Sequence, residues 1–185
     1  MDALEALHSR TSAPKLSAPG PSPAALQAIC KAAFRAADHG LMRPWRFLLI
    51  SGDARHKLGA LFAAATLAAA PDSSEDVLAR ASDKALRAPL IVVTIASPVA
   101  NPKVPDFEQE FSAAAATQNM LLAAHAQQLG AIWRTGAMAV HPLVRKGLGL
   151  ADHEKIISFL YLGTIDGPTR RLSDPEVETY FKTWG

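Results

Sequence analysis

Apolar side chains recur every three or four residues in six segments of the chain, which is the spacing of one face of an α-helix. Capping residues and prolines mark the ends of several segments, such as Ser22-Pro23 before the second and Pro89 after the fourth. The fifth segment is the longest, and Gly130 stands where a C-terminal cap is expected. The six predicted helices cover roughly residues 2–10, 24–36, 54–70, 72–88, 105–130 and 141–149.

Four short apolar runs have the length and residue content of buried strands. They read WRFLLISG (45–52), LIVVTIAS (90–97), AIWRTG (131–136) and KIISFLYLGT (155–164). The second run is the richest in β-branched residues, so we expect it in the centre of the sheet. Because helices and strands alternate without a regular β-α-β rhythm, the pattern predicts an α+β fold or an irregular three-layer sandwich.

Length and charge narrow the class of protein. A chain of 185 residues, 49% of them hydrophobic, can bury one sizeable core, which favours a single domain over two small ones. The net charge of +2 is too small, and the cations are too scattered, to indicate nucleic-acid or membrane-surface binding. One cysteine, an acidic N-terminus and short apolar runs predict a soluble protein of a reducing compartment, the cytoplasm.

Common catalytic motifs are absent from the sequence. It contains neither a Gly-rich dinucleotide fingerprint nor a Walker loop, and no GxSxG sequence supports a hydrolase. The six histidines lack metal-ligand spacing, so we predict no metal site.

Arginine stands beside a hydroxyl residue at two places where a predicted element ends. These are RTS (10–12), after the first helix, and WRTG (133–136), at the end of a strand. Guanidinium and hydroxyl groups together suit a phosphate dianion, because charge-assisted hydrogen bonds are about twice as strong as neutral ones. Taken alone, either segment is more often a solvated helix end or an ordinary ion pair. A third segment, RAADHGLMRPWRF (35–47), gathers cations and an aromatic ring before a strand.

In order and spacing, these segments resemble the nitroreductase family of flavin enzymes, closest to its small YdjA-type branch. The resemblance extends over nearly the whole chain and includes KVPDFEQEFSAAAATQNMLLAAHAQQLG and IISFLYLGT. It implies one nitroreductase-like domain over residues 1–185, a three-layer sandwich with a central mixed β-sheet, and an intertwined homodimer. Residues 167–185 would form a C-terminal extension that packs on the partner subunit, the alternative being a tail folded onto its own domain.

The resemblance also implies FMN at the subunit interface, reduced by NADH or NADPH, and a small electron-poor acceptor such as a nitroaromatic or a quinone. The flavin would carry the redox chemistry, so no protein acid or base is required for hydride transfer. The alternative is a flavin-binding or structural dimer without significant turnover. Arg35 and His39 match positions that reach the flavin of the other subunit, although His39 also suits a helix cap. The residues that match the family's flavin contacts are Arg10, Thr11, Ser12, Arg35, His39, Trp133, Arg134 and Thr135.

The resemblance also bears on the nicotinamide cofactor. The end of the long helix matches a stretch that approaches the nicotinamide cofactor, although close packing explains its alanines better. Its residues are Ala123, Ala124, His125, Ala126, Gln127 and Gln128.

The chain departs from the family pattern at three positions. Thr11 stands where a second arginine is common, Ala37 where proline is usual, and Arg43 where asparagine or glutamine is common. We expect these changes to alter the affinity and the position of the flavin relative to other members of the family. As a hypothesis, the cation at 43 favours an anionic substrate or a phosphorylated nicotinamide cofactor.

Overall fold

The computed structural model describes all 185 residues, and its elements are numbered here in chain order. The strands are β1 (Leu16–Ser17), β2 (Trp45–Ser51), β3 (Leu90–Ala96), β4 (Gly130–Arg134) and β5 (Lys155–Ile165). The helices are α1 (Ala3–Ser9), α2 (Pro23–Ala33), α3 (Ala54–Ala69), α4 (Glu75–Asp83), α5 (Asp106–Ala126), α6 (Ala137–Val140), α7 (Pro142–Gly147) and α8 (Val177–Tyr180). Short 3-10 turns occupy His39–Leu41 and Lys84–Leu86.

All five strands belong to one sheet, in which β5 lies between β3 and β4. Strand β2 pairs with the other edge of β3, and the short β1 pairs with the end of β5. Every residue of β3 is buried, which confirms the central position expected for its β-branched sequence. None of the helices combines the length and the apolar character needed to cross a membrane.

Every strand pair is antiparallel, so the prediction of a mixed sheet is wrong for this chain. The reason is visible in the register, because Ser51 at the end of β2 pairs with Leu90 at the start of β3. The intervening helices α3 and α4 pack against each other and return the chain to the end of the sheet that it left. A connection that starts and finishes at the same end of a sheet gives antiparallel neighbours.

Helices cover both faces of the sheet, and a buried apolar cluster lies under each layer. Ile91 and Val93 face one side with Phe62 of α3, whereas Val92 faces the other side with Met120 of α5. This division follows from the alternation of side chains along a strand. The α+β three-layer sandwich is therefore confirmed.

Helix α5 packs closely against α2, as its alanines predict. Ala116 is fully buried in one apolar cluster with Ile29 and Ala33 of α2, and the Asn119 side-chain amide donates a hydrogen bond to the Ala32 carbonyl at 3.2 Å. Small side chains let two helix backbones approach, and the polar bond fixes the register of the pair. Helix α2 therefore holds the following loop at a defined place beside α5.

Gly130 does not cap α5, contrary to the prediction. The helix ends at Ala126 with Gln127 as its C-cap, and Gln128 takes the left-handed conformation with φ of 62°. Gly130 instead begins β4, where an added Cβ would overlap the side chains of Leu16 and Ile165. The glycine is thus required for close strand packing rather than for helix termination. The partner it packs against, β1, lies in a Pro/Ser-rich connector for which no strand was predicted.

The last nineteen residues, 167–185, are exposed along their whole length. They include the short helix α8 and three large aromatic side chains, Tyr180, Phe181 and Trp184, of which Trp184 is 98% exposed. Apolar surface of this size on a single chain is typical of a segment that has a binding partner. Packing of this extension on a second subunit remains a prediction.

Candidate functional site

The N-terminal segment is held beside β4 by backbone hydrogen bonding. Helix α1 begins at a cap in which Asp2 accepts the Glu5 amide at 2.9 Å, and it ends at Ser9. Arg10 then takes an extended conformation, and the Ala13 amide donates to the Ala131 carbonyl at 3.0 Å. Residues 10–12 consequently run along β4, the strand that ends at Arg134.

A side-chain contact fixes the other end of this segment. Ser9 Oγ lies 2.8 Å from His125 Nε2, near the end of α5. The same hydroxyl donates its proton to the Glu5 carbonyl at 2.6 Å, so the imidazole Nε2–H is the donor to Ser9. Residues 10–12 therefore lie between two anchors, one at Ser9 and one at Ala13.

These two segments line one cavity of about 420 Å³. The structure brings Arg10 and Arg134 into its wall together, although they are far apart in sequence. Thr135 lies outside this wall, in the adjoining cavity. The predicted residues that line the cavity are Arg10, Thr11, Ser12, Trp133 and Arg134.

Two more arginines, Arg170 and Arg171, enter the cavity wall from the C-terminal extension. The hydroxyl of Thr11 donates to the Arg170 carbonyl at 3.4 Å and so ties the extension to the N-terminal segment. Sequence reasoning missed both arginines because the extension has no apolar periodicity that would place it. The only signal was the arginine doublet itself in PTRRLSD.

The cavity is strongly cationic. None of its four arginines takes part in an ion pair, since the four ion pairs of the structure use other cations, and no carboxylate lines the wall. The Arg134 Nε is buried and has no hydrogen-bond partner, and its guanidinium lies 5.9 Å from the centre of the Tyr161 ring. Four arginines without an acidic partner in one wall fit an anionic ligand, because hydrogen bonds between guanidinium groups and anions are charge-assisted.

Arg35 and His39 do not join this cavity within one chain. His39 Nδ1 pairs with the Glu108 carboxylate at 2.9 Å, at the start of α5. Arg35 borders an apolar groove between α1, α2 and α5. Any contact of these two side chains with a ligand in the arginine cavity would therefore require a second copy of the chain.

The loop that follows Arg35 is conformationally constrained. Leu41 and Arg43 both have positive φ, 52° and 50°, which is unusual for residues with a Cβ. The Asp38 carboxylate accepts the Arg43 amide at 2.7 Å and holds this backbone in place. Such strain is found most often at functional sites. The exposed Arg43 side chain has no acidic partner.

The predicted nicotinamide segment, residues 123–128, makes its contacts inside the chain. Ala124 is fully buried, and His125 bonds to Ser9 as described. The Gln127 side-chain amide donates to the Ala123 carbonyl at 2.8 Å. None of the six residues borders the arginine cavity. An approach to the nicotinamide cofactor stays a prediction.

Comparison with known proteins agrees with this fold. The model of the Nitroreductase family matches residues 7–164, which is most of the chain. The chain belongs to the nitroreductase family. This nitroreductase is 43% identical over 164 residues to the Escherichia coli K12 protein named "Putative NAD(P)H nitroreductase YdjA", covering 89% of this chain and 88% of that protein.

Two solved structures share the nitroreductase fold of this chain. A nitroreductase-like family protein from Bacillus cereus superposes with a TM-score of 0.84 at 21% identity, over 99% of this chain and 96% of the other. A nitroreductase with bound FMN from Bacteroides fragilis gives a TM-score of 0.75 at 21% identity, over 99% and 100%. The expected family, its YdjA-type branch and the assignment of the chain as an enzyme of the nitroreductase type are confirmed.

Proposed function

We propose that this nitroreductase is an FMN-dependent oxidoreductase, a homodimer that takes hydride from NAD(P)H and reduces an electron-poor acceptor such as a nitroaromatic or a quinone. The observation that carries the proposal is that Arg10 and Arg134 line one cavity, together with two hydroxyl residues of the N-terminal segment and two further arginines. A phosphate group is the ligand that such a wall recognises best.

The residues fit the phosphorylated end of FMN. The phosphate carries a charge of about −2 at neutral pH and has three acceptor oxygens, and four arginines without acidic partners line the cavity. Thr11 and Ser12 add hydroxyls suited to the ribityl chain, and Trp133 adds an apolar face. When bound, FMN would supply the redox chemistry, namely hydride uptake from a nicotinamide and electron delivery to the acceptor. The contribution of the chain is to bind, orient and electrostatically stabilise it.

The homodimer is supported by two predicted flavin contacts that lie outside the arginine cavity of their own chain. Arg35 and His39 match flavin contacts of the family, yet they lie at the α2–α5 side of their own chain. In a dimer that joins this side to the partner's arginine cavity, both side chains would complete the partner's site. The exposed aromatic residues of the C-terminal extension would be buried in the same association.

The absorbance spectrum of the purified protein tests the cofactor. We expect a yellow protein with flavin absorption, and we expect its visible band to bleach when NADH or NADPH is added without oxygen. Recovery of the band on addition of a nitroaromatic or a quinone would complete the cycle. A coloured protein that no nicotinamide bleaches would identify a passive flavin binder, and a colourless protein that takes up no added FMN would reject the proposal.

A subunit-mixing experiment tests whether Arg35 serves the partner's site. Arg10→Ala and Arg35→Ala chains are first tested alone and then refolded together. If Arg35 acts across the interface, a mixed dimer has one intact site and one doubly altered site, so activity returns on mixing. If Arg35 acts within its own chain, every site of the mixed dimer lacks one arginine and mixing restores nothing.

A further inference from the structure

A second cavity of about 450 Å³ adjoins the arginine cavity and shares Trp133 and Arg134 with it. Its volume lies within the range usual for small-molecule sites. The floor is aromatic, because Phe62 and Phe159 meet there edge to face with ring centres 5.4 Å apart. The cavity therefore offers an apolar base that suits a flat organic molecule.

The rim of this second cavity carries additional positive charge. Lys84 and Arg87 lie at and just after the 3-10 turn that follows α4, and both are exposed. Neither takes part in an ion pair, and no carboxylate lines the cavity. The two adjoining cavities together are thus bordered by six cationic side chains and no anionic one.

Tyr161 places a hydrogen-bonding group among these charges. The residue is only 3% exposed, and burial raises the pKa of its hydroxyl, while the nearby charges of Arg134 and Arg87 oppose that shift. Arg87 and Arg134 line the same cavity as Tyr161, and the Arg134 guanidinium lies 5.9 Å from the centre of its ring. A neutral phenol beside two cations can donate to an anion that the cations attract.

The positive charge exceeds what FMN alone needs. A phosphate of about −2 is matched by the arginines of the first cavity, so Lys84 and Arg87 remain unbalanced. Like charges that face a common cavity raise its potential and concentrate anions there. We infer that the second cavity is an anion-binding subsite, which takes a carboxylate or phosphate group of the molecule that exchanges electrons with the flavin. This inference rests on the proposed function.

Paired substrates test the inference with the flavin-loaded enzyme. For the acceptor, 4-nitrobenzoate is compared with neutral nitrobenzene; for the donor, NADPH is compared with NADH. We expect Lys84→Ala and Arg87→Ala each to raise KM about tenfold for the more negatively charged member of one pair, which is 4-nitrobenzoate or NADPH. The change for the neutral or less charged member should stay within about twofold. Lys84→Arg, which keeps the charge, should have a KM close to that of the wild type.

A matched control is Lys57→Ala, which removes an exposed lysine of α3 that borders neither cavity. It should leave all four KM values unchanged. A rise in KM for 4-nitrobenzoate alone places the acceptor in the subsite. A rise in KM for NADPH alone places the donor there. Both results support the inference.

Equal rises in KM for the charged and the neutral or less charged substrates would overturn the inference. If the midpoint potential of the flavin fell in the same variants, Lys84 and Arg87 would act on the flavin itself. No selective effect in any variant would overturn it as well. A failure of this kind is distinct from a failure of the proposed function, because the flavin spectrum and its bleaching by nicotinamide would persist.

Discussion

Two arginines on strands of the same sheet have opposite surroundings. Arg46 of β2 donates from Nε and Nη2 to the two carboxylate oxygens of Glu154, at 2.6 Å each, and from Nη2 to the Gly149 carbonyl at 3.0 Å. Arg134 of β4 makes no side-chain hydrogen bond, and its Nε is buried without a partner. One guanidinium is paired within the chain, and the other has no hydrogen-bond partner there.

The surroundings of Glu154 explain this difference. Its carboxylate is nearly buried and also accepts the Ala151 amide at 2.9 Å, while Arg145 donates to the Glu154 and Asp152 carbonyls at 3.0 Å. The hydrogen bonds from Arg46 lower the pKa of Glu154 to about 2. This closed cluster fixes the loop before β5. An arginine paired inside the chain thus stabilises the fold, whereas an arginine in a cavity wall without an acidic partner is available to a ligand.

Removing the carboxylate should have the largest effect on stability. Glu154→Ala leaves Arg46 without its partner, and we expect the free energy of unfolding to fall by about 3–4 kcal/mol. Urea denaturation at neutral pH measures the change. Glu110→Ala is the matched control, because Glu110 pairs with Lys155 at the same 2.6 Å but that lysine is 60% exposed. We expect the free energy of unfolding of the control to fall by less than about 1 kcal/mol. Equal falls in the two variants would show that the buried pair stabilises the fold no more than the exposed one.

Acidification should weaken the same cluster. The folded pKa of Glu154 is about 2, below its ordinary value of 4.5, so its contribution is fully present above pH 4.5 and is lost as pH falls towards 2. Because Arg46 is partly exposed to solvent, we expect the contribution to be about 2–3 kcal/mol. Urea midpoints from pH 6 to pH 2 should fall more steeply for the wild type than for Glu154→Gln. Parallel curves would show that Glu154 is not the group involved.

The unpaired arginines should affect ligand binding instead. Arg10→Ala and Arg134→Ala are each expected to weaken FMN by on the order of 1.5–3 kcal/mol, or roughly 10- to 150-fold in Kd. The unfolding free energy of the apoprotein should change by no more than about 1 kcal/mol. Fluorescence titration with FMN measures the first quantity and urea denaturation the second.

Arg46→Ala provides the reverse case for this comparison. It should destabilise the apoprotein and leave the Kd for FMN unchanged at a temperature where the variant stays folded. Retention of full flavin occupancy by both Arg10→Ala and Arg134→Ala at sub-micromolar protein would contradict the assignment of the cavity.

Much of the fold could be predicted from local pattern. The β-branched run of β3 predicted a central strand, and all seven of its residues are buried, while the sequence of α5 predicted the longest helix. The end of α5 could not be placed, since Gln128 rather than a glycine takes the left-handed conformation. The antiparallel order depends on how α3 and α4 pack, which no local pattern contains.

The candidate site was less accessible to prediction than the fold. Arg10 and Arg134 were singled out by their neighbouring hydroxyls and by family resemblance, and the structure brings them together. Arg170 and Arg171 were missed because their extension has no burial pattern, and its course depends on contacts such as the Thr11 bond. Lys84 and Arg87 were missed because a charged helix end is usually only a solvated surface.

The smallest expected effect concerns a residue that acts at a distance from the cavity. His125 holds Ser9, the residue before Arg10, while the Ala13 amide holds the other end of the segment. Ser9→Ala and His125→Ala should each weaken FMN by about 1 kcal/mol, the usual worth of one hydrogen bond, or roughly fivefold in Kd. The double variant should lose no more than either single one, because both remove the same contact. His8→Ala, an exposed neighbour with no hydrogen-bond partner, is the control. Additive losses would mean that His125 reaches the ligand independently of Ser9, as the predicted nicotinamide contact requires.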